Sequence, residues 1–151
     1  YVDTARISID TSEGENLVLQ TLDSILAIKP EFSNAQLLKI DTDGFDNSII
    51  RSGKEFIDAS KPVIFFEYYP YLLNKIEEDG ISLFRFLHEI GYSEMLLFTN
   101  KGDFFVKAAL DDEKMIENLH DIANRKIGLE YFDICVYCEK DKGTFDSLTK
   151  K

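Results

Sequence analysis

Two short apolar runs along this chain each stop at an acid. The first is Leu37-Leu38-Lys39-Ile40-Asp41, continued by Thr42-Asp43-Gly44-Phe45-Asp46; the second is Pro62-Val63-Ile64-Phe65-Phe66-Glu67. An apolar run of four or five residues between polar and turn signals predicts a strand buried on both faces, as in parallel sheets under helices. Between the runs, residues 46–60 carry Ile49, Ile50, Phe56 and Ile57 at helical spacings. The unit reads strand, helix, strand, and a parallel crossover of this kind is right-handed almost without exception. In such sheets ligands bind at the carboxyl ends of the strands. Asp41 and Glu67 both fall there.

The remaining pattern extends the same theme. Residues 5–10 alternate as an extended segment, 11–16 form a polar turn, and 17–20 form a second short strand. Thr21 is placed to cap a helix that runs to about Ile28 and stops before Pro30. Pro70 suits the first turn of a helix through Leu72, Leu73 and Ile76 to Gly80, and a further helix from Ser82 closes at Gly91. The period then changes. Residues 92–99 and 104–108 are β-rich and joined by Asn100-Lys101-Gly102-Asp103, a hairpin signal. Asp111 or Asp112 caps a helix carrying Met115, Ile116, Leu119, Ile122 and Ala123, and a last strand spans about 131–139. The tail, 140–151, is polar and expected to fray.

At 151 residues the chain is one domain by size. Twelve Phe and seven Tyr, with no Trp, predict a phenylalanine-rich core. Seventeen basic against 28 acidic residues give a net charge of −11, which argues against nucleic acid as a partner. No apolar stretch approaches the roughly 20 residues of a membrane span, so no membrane is expected. Cys135 and Cys138 lie three apart in the last strand, on opposite faces, and so form neither a disulfide nor a zinc site. Buried, reduced thiols suit a cytoplasmic protein.

Asp41 and Glu67 become neighbours if their strands pair, with backbones about 5 Å apart. Two carboxylates that close raise the proton affinity of one, which makes a general base, or else hold a divalent cation between them. Asp43 is a further candidate for the same site. Asp46 is expected to stabilise the start of the following helix through its dipole. A calcium loop beginning at Asp41 fails, because its sixth and twelfth positions are Asp46 and Ser52. Tyr68, Tyr69 and Tyr71 follow Glu67 and are candidates to line an acceptor pocket. His88 and His120 fall on polar helix faces and read as solvated.

The run K-I-D-x-acid-G-apolar-acid at 39–46, followed by Ile50, Gly53 and the apolar strand ending in Glu67, resembles the FkbM-type S-adenosylmethionine-dependent methyltransferases. Thr21-Leu22-Asp23-Ser24-Ile25-Leu26 is similar to the block that precedes that motif in the family, so the resemblance covers residues 17–92. The family commonly has Glu where this chain has Asp43 and Asp46. The resemblance implies an α/β fold, the C-terminal part of a Rossmann-like class I methyltransferase. Its mixed sheet would hold parallel strands, an antiparallel hairpin, and a last strand inserted antiparallel between its neighbours. It further implies methyl transfer from S-adenosylmethionine to a hydroxyl of a small molecule or sugar. Catalytic roles would then fall to Asp41, Glu67 and Asp43, with Tyr68 and Tyr69 binding substrate.

The family's cofactor-binding glycines lie upstream of the Thr21–Leu26 block, and no two of the eight glycines here are separated by a single residue. The expectation is one domain, incomplete on the cofactor side, with lead-in strands and helix over 1–36. Such a chain would bind S-adenosylmethionine weakly or not at all. Its sheet edge beside 37–41 would be covered by the segment 5–10 or by a second copy of the chain. Two alternatives stay open: a non-catalytic binding module that keeps the fold, or a divalent-metal-binding domain.

Overall fold

The computed structural model of the chain describes residues 20–125 and 128–149. The expected strand over 5–10 and most of that over 17–20 lie outside the described residues. Among the described residues there are seven α-helices and five strands: α1 Leu22–Ile28, β1 Leu37–Ile40, α2 Asp46–Ser52, α3 Lys54–Ser60, β2 Val63–Tyr68, α4 Pro70–Lys75 and α5 Ile81–Glu89. There follow β3 Glu94–Thr99, β4 Phe104–Ala109, α6 Glu113–Asn124, β5 Phe132–Tyr137 and α7 Lys142–Thr149.

The strands form one mixed sheet in the order β1-β2-β5-β3-β4. β1 and β2 are parallel, with Ile40 opposite Phe66 at the end of their register. β5 inserts between β2 and β3, antiparallel to both, and β4 closes the hairpin on β3. This is the α/β arrangement expected from the sequence, last strand included. Among the described residues β1 is an edge strand.

Local chemistry explains the boundaries. Thr21 accepts from the Ser24 amide at 3.1 Å and Asp112 from the Met115 amide at 3.0 Å, so both helices begin at side-chain caps. The single crossover helix expected over 46–60 is instead two, broken at Gly53. A Cβ there would lie 2.6 Å from Leu22 Cδ2, so α1 sits directly on the junction. The helix begun at Pro70 also ends early: Ile76 closes α4, and Glu77 turns with φ 56°. Gly91 closes α5 with φ 94°.

Alternation along β2 separates two cores. Ile64, Phe66 and Tyr68 join Ile134, Val136, Met95 and Leu97 under α1–α6. On the other face, Val63, Phe65, Leu96, Phe98, Cys135 and Tyr137 form a smaller cluster with Phe145 of α7. The tail expected to fray therefore has a helical, docked portion. Phe145 stacks on Tyr137 at 4.2 Å, and Glu94 accepts from Lys107 at 2.7 Å and from Lys142 at 2.6 Å. Cys135 and Cys138 are free and buried, one in each cluster, as their spacing required. The expectation that β1 is buried on both faces is not met. Leu37 is 61% exposed, because no helix among the described residues covers that edge of the second face.

Candidate active site

The turn leaving β1 is tight. Asp43 and Gly44 both adopt positive φ, 51° and 110°. Asp tolerates the left-handed region because its short polar side chain bonds locally, while Gly44 has no Cβ to strain. A side chain at Gly44 would also meet Leu72 Cβ at 3.0 Å. The turn delivers Asp41, one residue beyond the last Ile40–Phe66 pairing, to the side of Glu67. The two acids predicted to be neighbours therefore emerge from adjacent parallel strands.

Alternation decides which residues join them. Glu67 shares its face with Val63 and Phe65, and its cross-strand partner on β5 is Asp133. Tyr68 points the opposite way. It is 1% exposed, packs edge-on against Phe84 at 4.9 Å, and its hydroxyl lies 2.7 Å from His120 Nδ1. Tyr68 therefore belongs to the main core and not to an acceptor pocket, since consecutive residues of a strand cannot face the same side. His120, expected to be solvated, is half-buried by the same contact, and burial pushes its pKa down. His88 is exposed as expected.

Tyr69, just past β2, does remain near the acids. Its ring lies 5.9 Å from that of Tyr71 and 5.7 Å from that of Tyr131, and its hydroxyl donates to Glu130 at 3.3 Å. Lys75 stands over the Tyr71 ring at 4.4 Å. The Tyr131 hydroxyl holds its proton more tightly than usual, through burial and then the charges of Glu67 and Asp133.

Asp46 is 1% exposed and does not cap its helix: Phe45 is the N-cap of α2, and no side chain bonds there. Instead its carboxylate accepts from the Thr42 hydroxyl at 2.9 Å, the Thr42 amide at 3.3 Å and the Glu67 amide at 3.3 Å. Burial raises its pKa, against the pull of these bonds. Next to it, Asn47 is fully buried, and neither polar atom of its side chain has a partner among the described residues. Asp41 is exposed and pairs with Lys39 at 3.3 Å, a surface contact of small energetic weight.

These groups converge electrostatically on Glu67. It is half-buried, and its pKa is pushed up to about 7, first by burial and then by the charges of Asp46, Asp41, Asp43 and Asp133. Asp133 is raised too, by burial and then by Asp41. A carboxyl that exchanges its proton near neutrality beside an aromatic wall is equipped for general base chemistry. Asp133 and Tyr131 were not predicted. Asp133 arrives from β5 and Tyr131 from the residue just before it, about 65 positions after Glu67, and only the cross-strand register could have pointed to them.

No group of three or more His, Cys, Asp or Glu among the described residues is arranged to hold a metal ion. The described residues also lack the closely spaced glycines that let backbone approach a nucleoside. The carboxylates of Asp41, Asp43 and Glu67 suit a cationic group. No helix among the described residues is long and apolar enough to cross a membrane.

A family model described as the methyltransferase FkbM domain matches residues 3–94, more than half of the chain. The match takes in Asp41, Asp43, Asp46, Glu67 and Tyr69, while Tyr131 and Asp133 lie beyond it. No curated protein and no solved structure matches the chain.

Proposed function

Since the chain belongs to the FkbM methyltransferase family, we propose that it forms the acceptor side of an O-methyltransferase acting on a hydroxyl of a small molecule or sugar, with Glu67 as general base. The observation that carries this reading is the place of Glu67 at the carboxyl end of β2, opposite Asp133 and beside the acids of the turn leaving β1. Burial and those charges push its pKa up to about 7, which suits it to accept a hydroxyl proton at neutral pH. S-adenosylmethionine, which the family generally uses, supplies the methyl group.

The roles of the chain's own residues follow from position. Glu67 takes the proton as the acceptor oxygen becomes a nucleophile. Burial first, and then the negative charges of Asp46, Asp41, Asp43 and Asp133, hold its proton until pH nears neutrality. Tyr69 and Tyr131, whose rings lie 5.7 Å apart, offer a wall on which an acceptor ring can lie. The rival reading, a binding module that keeps the fold without catalysis, draws on the missing glycine cradle among the described residues.

Methyl transfer from radiolabelled S-adenosylmethionine to a panel of glycosides and other hydroxyl-bearing acceptors tests the proposal on the protein carrying this domain. Glu67→Gln is expected to lower the rate by about 10²–10⁴-fold while leaving the fold intact. Unchanged turnover in that variant would remove Glu67 from the chemistry.

A further inference from the structure

We propose that Asp46 is a positioning residue for Glu67, its buried carboxylate serving as an extra rung that locks the carboxyl end of β2 to the turn leaving β1. The inference rests on reading Glu67 as the base. Along β2, every second amide points to the same edge. The Val63 amide donates to Gln36 O at 2.9 Å on the β1 side, and the Glu67 amide, four residues on, faces that side too. The ladder's last pairing is Ile40 with Phe66, so the Glu67 amide lies at its end, and there Asp46 Oδ1 is an acceptor additional to the ladder's own, at 3.3 Å.

A carboxylate 1% exposed is costly unless its oxygens are occupied. Those of Asp46 are, and none of the donors is an amide of the α2 interior. Oδ2 receives both the amide and the hydroxyl of Thr42, and Oδ1 receives Glu67. One side chain thus grips the start of the turn and the backbone of the reactive acid together. An apolar residue at 46 would remove this additional acceptor together with the grip on Thr42, and loosen the turn against the end of β2.

The other titratable groups facing Glu67 are Asp41 and Asp43 from the turn, Asp133 and Tyr131 from β5 and its approach, and Tyr69 after β2. Asp46 is distinguished from them by bonding the Glu67 main chain. Its charge also stands ahead of the other acids in raising Glu67.

The test is a carbon-detected NMR titration of side-chain carboxyls, with backbone amides, on the full 151-residue chain. The Thr42 and Glu67 amides are expected to show a transition at the midpoint of the Asp46 carboxyl carbon. In the Glu67→Gln chain the amide at position 67 should keep only that transition. In Asp46→Asn, the Glu67 midpoint should fall by about one pH unit. Amides at 42 and 67 that ignore Asp46, or a Glu67 midpoint unmoved in Asp46→Asn, would overturn the proposal. If Asp46→Asn does not fold, the amide transitions in the unaltered and Glu67→Gln chains decide alone. Glu67→Gln that retains methyl transfer while the amides still follow Asp46 would sink the base reading and leave the positioning role standing.

Discussion

The two faces of β2 have different fates. Ile64, Phe66 and Tyr68 are buried beneath six helices, while Val63, Phe65 and Glu67 look onto a face covered chiefly by α7. The candidate site grows at the carboxyl end of the thinly covered face. An acid in the main core would be desolvated outright, and one on open surface would keep an ordinary proton affinity. Half-burial among four other acids places Glu67 between those limits. The fold therefore keeps its packing on one side of the strand and its chemistry on the other.

Truncating each face separates these roles. Phe66→Ala should cost about 3–5 kcal/mol in chemical denaturation, the range for deleting a fully buried Phe. Phe65→Ala, one residue away on the partly covered face, should cost about 1–2 kcal/mol. Equal losses would show that the second face is as well packed as the first.

A smaller effect belongs to Tyr68, which the structure assigns to the core. Tyr68→Phe removes the hydroxyl 2.7 Å from His120 Nδ1 and leaves a half-buried ring nitrogen without that partner. A loss of about 1–2 kcal/mol is expected in the same measurement, with methyl transfer unchanged in its pH dependence. A shifted pH profile would return Tyr68 to the site.

The smallest effect has the opposite sign. Folding raises the pKa of Glu67 from 4.5 to about 7, so the folded state binds the proton more tightly than the unfolded chain. The stability this contributes is full below about pH 4.5 and is lost as pH rises through about 7. Glu67→Gln should therefore stabilise the protein by about 1 kcal/mol at pH 8, after discounting for solvent screening, and by almost nothing at pH 4. Thermal melts at the two pH values check it. Destabilisation at pH 8 would mean that the charged carboxylate is held by favourable contacts and not strained.

Much of this was legible in the sequence because it is local. Apolar runs ending at Asp41 and Glu67 gave the parallel pair, and the Asn100–Asp103 turn gave the hairpin. The resemblance to the family supplied the inserted last strand. What escaped reading depends on register or on distant packing. Asp133 meets Glu67 only through the pairing of β5 with β2. The apolar run stops at Glu67 and so groups Tyr68 with Tyr69, but β2 runs one residue further, and alternation turns Tyr68 inward. Asp46 carried the outward marks of a helix-start acid, and its reach to the Glu67 amide appears only once the turn closes. The break at Gly53 reflects Leu22 packing on it from a helix that begins 31 positions earlier.

The thinly covered face holds a carboxyl poised at neutrality. Following the Glu67 side-chain carboxyl carbon by NMR across pH 3–9 in the unaltered chain tests it most directly. A midpoint near 7 is expected. A midpoint in the ordinary range of glutamate, about 4.3, would contradict it.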